Sequence, residues 1–202
     1  MRRRNRLALL TAVLVVAVVS TYGCARVRTA PDLGRGVSET ATQLTVGPVA
    51  ATTGLVDCDA LPAAGAVLQS WHALQFQCLA DGKVVRGSQL RGRATVAIVW
   101  ASWCGPCREE LPYLADFATS QQQVRVIGIG WKDQPRALQA YARQSRLPFP
   151  TIVDPDAAIG SALGINSQPS LLLIDADGVV VHVHRTPISS VAELSALARE
   201  YL

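Results

Sequence analysis

Short apolar runs and longer amphipathic segments follow one another from residue 57 to the C-terminus. The apolar runs, rich in Val, Ile and Leu, predict buried strands at residues 94–100, 124–131, 151–153 and 171–175. The segments between and after them predict helices at residues 105–120, 135–144 and 157–163 and near the C-terminus. Because strands that alternate with helices pair in parallel, this pattern predicts a parallel sheet covered on both faces.

Two hairpins are predicted to add antiparallel strands at the ends of this pattern. Residues 75–79 alternate polar and apolar, and Asp81-Gly82 predicts a two-residue turn into a return strand at 83–86. Near the C-terminus, Asp177-Gly178 predicts a turn into a strand at 179–185. The predicted fold is therefore α/β, with a mixed central sheet flanked by helices.

Individual residues predict where these helices begin, end or bend. Asp133 is predicted to cap the N-terminus of helix 135–144, and Gly164 to end helix 157–163. Ser190 and Glu193 have the spacing of a capping box for the last helix. Pro112 predicts a kink or a break in the first turns of helix 105–120, because proline lacks the N–H that a helix interior needs.

The N-terminus has the pattern of a targeting segment. An apolar run at residues 7–20 follows a cluster of arginines at Arg2, Arg3, Arg4 and Arg6. The run is shorter than the ~20 residues that span a bilayer, which favours the apolar region of a signal peptide. The alternative is a buried helix of a cytosolic protein. Residues 25–56, rich in Thr, Ala, Gly and Val, predict a tether between this segment and a domain at 57–202.

The end of this segment, Thr21-Tyr-Gly-Cys24, resembles a bacterial lipoprotein cleavage box, in which Cys24 would carry the lipid. Thr21 departs from the box, which usually has Leu, Val or Ile there. A cut after Ala25, or retention as a marginal membrane anchor, is the alternative. Each of these outcomes places the domain on the extracytoplasmic side of the membrane, anchored or secreted.

The N-terminal arginines also explain the net charge of +4. The sequence has 19 Lys and Arg against 15 Asp and Glu, so without those four arginines the charges balance. A neutral domain lacks the basic surface by which proteins bind nucleic acid.

Five cysteines suit an oxidising compartment. If Cys24 carries a lipid or is removed, Cys104 and Cys107 make one pair and Cys58 and Cys78 are left for a second, structural disulfide. That bridge would restrict the unfolded chain by roughly 3 kcal/mol. The alternative is that Cys58 and Cys78 are buried free thiols.

The Cys-Gly-Pro-Cys pair at 104–107 lies where a buried strand passes into a helix. Pro106 suits the first turn of that helix, and Cys104 at its N-terminus would be favoured as a thiolate. We expect Cys104 to be the exposed nucleophile, and Cys107 to resolve the mixed disulfide. Half of a zinc site is the alternative, but this sequence has no second such pair, and its histidines are distant: His72, His182 and His184.

With these elements in place, the chain resembles the thioredoxin superfamily, and within it the membrane-tethered TlpA/ResA/CcmG branch. The likeness runs from about Asp57 to the C-terminus. Besides the cysteines it rests on the leading hairpin, on the inserted helix and strand, on Glu110 and on the loop 165–175 with Pro169. Ile98 departs from the family, which has a buried Asp or Asn at that place.

The resemblance implies roles for several residues. Pro169 would follow a cis peptide bond, and the backbone of Gln168 would contact substrate. Glu110 would handle the proton of Cys107, unless it is an ordinary solvated glutamate. Trp103 is expected on the docking surface and Trp100 in the core. For His182 and His184, two residues apart on one strand, an exposed polar face is favoured over a metal site.

The resemblance also implies a function. We expect a monomeric, cofactor-free protein-disulfide oxidoreductase that acts on the thiols and disulfides of exported proteins. Its role would be reducing, for example on apocytochrome c, with electrons from a membrane dithiol carrier. The alternatives are an oxidase or isomerase for exported proteins, and a non-catalytic binding module.

Overall fold

The computed structural model describes residues 49–63, 65 and 69–202. The predicted signal segment, most of the tether and Cys24 lie outside these residues. The strands are β1 Gln75–Cys78, β2 Val84–Arg86, β3 Thr95–Trp100, β4 Arg125–Trp131, β5 Thr151–Asp154, β6 Ser170–Ile174 and β7 Val180–His184. The α-helices are α1 Gly105–Ser120, α2 Pro135–Gln144, α3 Ala158–Leu163 and α4 Val191–Tyr201. Short 3₁₀ turns occupy Ser70–Ala73 and Gly87–Gln89.

All seven strands form one mixed sheet in the order β2-β1-β5-β4-β3-β6-β7. Strands β3, β4 and β5 are parallel, whereas β1 and β2 on one side and β6 and β7 on the other are antiparallel to their neighbours. The prediction of a parallel centre with a hairpin at each end is confirmed. Strand β3 therefore lies inside the sheet, and its C-terminal end opens into the loop that carries the cysteines.

Strand β3 is buried on both faces, which explains its unbroken run of apolar residues. Val96, Ile98 and Trp100 belong to the core on the side of α1, α2 and α4, where they join Leu111, Leu138 and Leu194. Ala97 and Val99 belong to the core on the opposite side, which also contains Trp71 and Ile159. Successive side chains point to opposite faces of a strand, so each layer of helices packs against alternate residues.

The first hairpin differs from the prediction in the length of its turn. The N–H of Cys78 donates to the carbonyl of Lys83 at 2.8 Å, so four residues, 79–82, form the loop instead of two. Gly82 has φ +75°, and a Cβ atom there would lie 2.6 Å from the carbonyl oxygen of Val49. The glycine correctly predicts a turn. The loop is longer than predicted, and it packs against the segment at Val49.

One helix prediction is wrong and another is narrowed. Pro112 does not break α1, so of its two predicted effects only the kink stays a prediction, and buried Leu111 and Leu114 on either side hold the helix to the sheet. Asp133 does not cap α2: the N-cap is Gln134, and its side chain makes no cap hydrogen bond. The carboxylate of Asp133 instead binds the loop before α1, as described below.

The helix ends near the C-terminus follow the sequence more closely. Gly164 ends α3 in the left-handed conformation, with φ +67°. Ser190 caps α4, accepting the N–H of Glu193 at 3.2 Å. The second hydrogen bond of the capping box differs from the usual one. The side chain of Glu193 accepts the N–H of Ser189, one residue before the N-cap, at 2.9 Å.

The chain is attached to the sheet before the first strand. Cys58 and Cys78 form a disulfide, as predicted. Thr52 donates its N–H to the carbonyl of Ala80 at 2.8 Å, and Val49 is buried. Residues 49–56, assigned to the tether from sequence, thus contact the domain. Within the described residues, no helix is both long and apolar enough to cross a membrane.

Candidate active site

The cysteine pair begins helix α1 directly after the central strand. Cys104 is the N-cap residue, and its Sγ accepts the N–H of Cys107 at 3.2 Å. Pro106 occupies the first turn, as predicted, where a missing N–H costs the helix nothing. The free N–H groups and the macrodipole of a helix N-terminus stabilise negative charge, so this position favours a thiolate on Cys104.

Cys104 and Cys107 are joined by a disulfide, and both are buried. Cys107 is fully buried and Cys104 is 6% exposed, so the prediction of an exposed Cys104 is wrong for the disulfide form. The neighbouring Trp103 is 61% exposed, in keeping with its predicted place on the surface, whereas Trp100 is buried in the core.

The loop before β6 comes to the same end of the sheet. The peptide bond between Gln168 and Pro169 is cis, which confirms that prediction. Val99 and Ser170 form a register pair between the antiparallel strands β3 and β6. Pro169, one residue before Ser170, is therefore next to the end of β3 from which the cysteine loop departs.

Glu110 is a buried carboxyl group on the same helix as the cysteines. It is 1% exposed, so it is not the solvated residue that a helix glutamate usually is. Its Oε1 accepts the N–H of Ile188 at 3.1 Å, and its Oε2 has no hydrogen-bond partner. Burial raises the pKa of Glu110 to about 7, the Ile188 N–H opposes this, and the charge of Glu193 adds to it.

Ile98 gives the interior thiol no polar neighbour from the central strand. It is fully buried and belongs to the same apolar core as Cys107. Glu110 follows Cys107 by three residues, so the two side chains lie on the same side of α1. Glu110 is thus a buried carboxyl group on the side of the helix that carries Cys107.

Asp133 contacts the loop that leads to the cysteines, although its sequence position predicted an N-cap for helix 135–144. Its Oδ2 accepts the N–H of Ser102 at 2.6 Å, and its Oδ1 accepts the N–H of Gln134 at 2.7 Å. Parallel strands β3 and β4 end at the same edge of the sheet, so the loops that follow them meet there. An aspartate two residues after a buried strand, at the edge that also carries the cysteines, is the signal that could have identified it.

His182 and His184 lie on β7 and differ from their predicted environment. His182 stacks on Tyr201, with ring centroids 4.0 Å apart. His184 is half-buried, and its Nε2 has no hydrogen-bond partner, so the two do not form an exposed polar face. Among the residues that the structure describes, no group of three or more His, Cys, Asp or Glu could hold a metal ion.

A cysteine pair at the N-terminus of the helix after the central strand, beside a cis-proline loop, defines a thioredoxin-like protein. A sequence profile of the Redoxin family matches residues 59–198, and the chain belongs to this family. The family resemblance inferred from the sequence is confirmed.

Curated relatives place the chain near one branch. It is 36% identical over 102 residues to the thiol:disulfide interchange protein DsbE of Allochromatium vinosum, covering 50% of this chain and 56% of that protein. It is 28% identical over 105 residues to the thiol-disulfide oxidoreductase ResA of Bacillus subtilis, covering 51% and 59%. The chain thus spans little more than half the length of these relatives.

Solved structures share the fold. A structure of MTB dsbF in mixed oxidized and reduced forms superposes with a TM-score of 0.58, at 27% identity, over 65% of this chain and 99% of that one. A putative protein disulfide isomerase from Bacteroides thetaiotaomicron has a TM-score of 0.53, at 28% identity, over 63% and 82%. The thioredoxin-like architecture predicted from sequence is confirmed.

Proposed function

We propose that this protein is an extracytoplasmic thiol-disulfide oxidoreductase that exchanges disulfides with protein substrates through Cys104 and Cys107. The observation that carries this proposal is the closed pair at the N-terminus of α1, where the Sγ of Cys104 accepts the N–H of Cys107. The names of its relatives, an interchange protein and an oxidoreductase, agree with it. The chemistry requires no cofactor.

In the reducing direction the reaction starts from the dithiol. The Cys104 thiolate attacks one sulfur of a partner disulfide, which forms a mixed disulfide and releases the other partner sulfur as a thiolate. Cys107 then loses its proton and attacks the Sγ of Cys104, which frees the second partner sulfur. Two electrons and two protons have passed to the partner, and the Cys104–Cys107 disulfide has formed.

Glu110 is proposed as the group that takes the proton from Cys107. Burial brings its pKa to about 7, so both protonation states are populated near neutral pH, as a general acid–base needs. The Ile188 N–H binds one carboxylate oxygen and leaves the other without a partner. That second oxygen is available to a proton.

Trp103 and the loop at Gln168 and Pro169 are proposed to hold the substrate. Trp103 offers an exposed aromatic surface immediately before Cys104. The half-buried Gln168 lies beside the end of β3, where its backbone can pair with an extended segment of the partner.

Reduction of insulin tests the activity itself. We expect Cys104→Ser to lower the rate by about three orders of magnitude or more, because the attacking sulfur is lost. The matched control is Cys58→Ser, which removes a cysteine outside the site and should leave most of the rate. A wild-type protein without activity would favour a binding module instead.

The direction and the partner need experiments in cells. We propose a reducing role, with the thiols of exported proteins such as apocytochrome c as substrates and a membrane dithiol carrier as electron donor. Alkylation in cells should then find Cys104 and Cys107 mostly reduced, whereas a mostly oxidised pair would support an oxidase or isomerase. Cys107→Ser should accumulate mixed disulfides whose partners mass spectrometry identifies.

A further inference from the structure

A cavity of about 340 Å³ lies at the end of the sheet opposite the cysteine pair. Its apolar wall includes Cys58, Leu61 and Pro150, and its basic side includes Arg93 and Arg125. Arg125 opens β4 and pairs in register with Thr95 at the start of β3, whereas the cysteines follow the far end of β3. The length of β3 separates the two places by roughly 20 Å, at about 3.3 Å per residue.

Neutral oxygens hold the two guanidinium groups in place. Arg125 donates from Nε to the hydroxyl of Thr95 at 3.0 Å and from Nη2 to the carbonyl of Arg91 at 3.5 Å. Arg93 donates from Nε to the carbonyl of Gln123 at 3.2 Å. These bonds orient the groups and leave other N–H donors of both guanidinium groups for a ligand.

No carboxylate neutralises these charges in the part of the chain that the structure describes. The ion pairs found there belong to Lys83 and two aspartates, and neither Arg93 nor Arg125 takes part in one. The cavity has one acidic lining residue, Asp57, which is exposed. Burial lowers the pKa of Arg125 to about 10, and the charge of Arg93 adds to the effect, yet Arg125 stays protonated at neutral pH.

We propose that this cavity binds a small amphipathic anion. A carboxylate or phosphate group would accept hydrogen bonds from Arg93 and Arg125, since a guanidinium donates two parallel bonds to such oxyanions. An attached apolar body would lie against Leu61 and Pro150. The volume falls within the range of small-molecule pockets, about 300–1,000 Å³.

The structural disulfide is part of this site. Cys58 lines the cavity, and its bond to Cys78 fastens residues 56–62, which form one wall, to strand β1. The double variant Cys58→Ser/Cys78→Ser should therefore bind the anion more weakly, because the wall is no longer held.

Titration calorimetry on the full-length, oxidised protein tests the proposal with octyl phosphate, inorganic phosphate and octanol. We expect octyl phosphate to bind at least about tenfold more tightly than inorganic phosphate, and octanol not to bind. Arg93→Ala should weaken octyl phosphate at least about tenfold. Arg136→Ala, which removes an exposed arginine on α2, is the matched control and should change nothing.

Equal binding of octyl phosphate to wild type and Arg93→Ala, or equal binding of octanol and octyl phosphate, would overturn the proposal. Arg93 is exposed, so its loss is compatible with folding, and Arg125→Lys gives a second variant that keeps the charge but loses the paired donors. Vesicles that contain phosphatidylglycerol identify the source of the anion. If Arg93→Ala binds the vesicles less than wild type does, the ligand is a lipid headgroup. If the two proteins bind the vesicles alike, the ligand is a free anion. Insulin reduction by Arg93→Ala should equal that of wild type.

Discussion

The disulfide Cys58–Cys78 joins a loop to strand β1 across 20 residues, whereas Cys104–Cys107 joins two residues of one helical turn. Exposure does not separate them, since each pair has one residue that is 6% exposed and one that is fully buried. Their surroundings do. The Sγ of Cys58 lies 3.9 Å from the carbonyl of Thr151, which offers a thiolate no stabilisation.

The second disulfide has the neighbours that the first one lacks. Cys104 accepts a backbone N–H at a helix N-terminus, where a thiolate is stabilised. Glu110 on the same helix is a buried carboxyl group, and Trp103 exposes an aromatic ring directly before Cys104. The comparison teaches that the elements around a disulfide, more than its burial, decide whether it supports the fold or takes part in exchange.

Stability should depend mainly on the first disulfide. Cys58→Ser/Cys78→Ser should lower the free energy of unfolding by about 3 kcal/mol, because the unfolded chain regains the freedom of a long loop. Cys104→Ser/Cys107→Ser removes a bridge that closes a much shorter loop, and should cost about 2 kcal/mol or less. Urea unfolding of both variants measures the two losses, and a larger loss for the second pair would reverse the assignment of roles.

Reduction should select the second disulfide. With limiting dithiothreitol, Cys104–Cys107 should open at least about 100-fold faster than Cys58–Cys78, since the attack falls on Cys104 at a helix N-terminus, which stabilises the negative charge that develops on the reacting sulfurs. Alkylation at timed intervals followed by peptide mass spectrometry gives both rates from one sample. Equal rates would show that the helix N-terminus has no influence on the exchange.

Glu110 should give the protein a pH dependence that the glutamine variant lacks. Its pKa is raised from 4.5 to about 7 in the folded protein, so the folded state binds the proton more tightly than the unfolded chain. This contribution to stability is complete below pH 4.5 and is lost as the pH rises through about 7. Relative to Glu110→Gln, the wild type should lose on the order of 3 kcal/mol of its free energy of unfolding over this range.

The measurement is urea unfolding of the two proteins from about pH 4 to about pH 8. Groups that do not interact with Glu110 cancel in the difference. A difference that does not change with pH would mean that Glu110 titrates as an ordinary glutamate. Cys58–Cys78 should respond equally to reductant in both proteins, because Glu110 lies on α1, away from that disulfide.

The smallest effect concerns the loop that leads to Cys104. Asp133→Ala removes the acceptor of the Ser102 and Gln134 N–H groups and should lower stability by about 1 to 2 kcal/mol. Insulin reduction should slow by roughly three- to tenfold as the loop loosens. Asp133→Asn keeps one acceptor oxygen and should recover most of the rate, and an unchanged rate in Asp133→Ala would remove the residue from the site.

The strands, helices and cysteine pairing could be predicted from the sequence because each depends on local pattern. An apolar run such as 94–100 has few alternatives to a buried strand. Gly164 ends a helix and Ser190 begins one, each by its own chemistry. The cis bond at Pro169 was also predicted, but on the family resemblance rather than on the residue itself.

Interactions between distant segments could not be predicted in the same way. Asp133 follows a strand and precedes a helix, so the local pattern favoured a cap. Only the parallel pairing of β3 and β4 reveals Ser102 as its partner. The burial of Glu110 likewise depends on α4 and the loop at Ile188, and the arginine cavity needs segments 56–62, 91–93 and 125 together.

The bond between Cys58 and Cys78 also determines how the domain would carry mechanical load. A force applied to the chain before residue 49 is transmitted from Cys58 through the disulfide to Cys78 in β1. Residues 59–77 therefore bear no load. The hydrogen bonds between β1 and β5 are then the ones that bear the applied force. Stretching the oxidised domain should therefore give a contour length roughly 60 Å shorter than stretching the reduced one, at about 3.4 Å per residue.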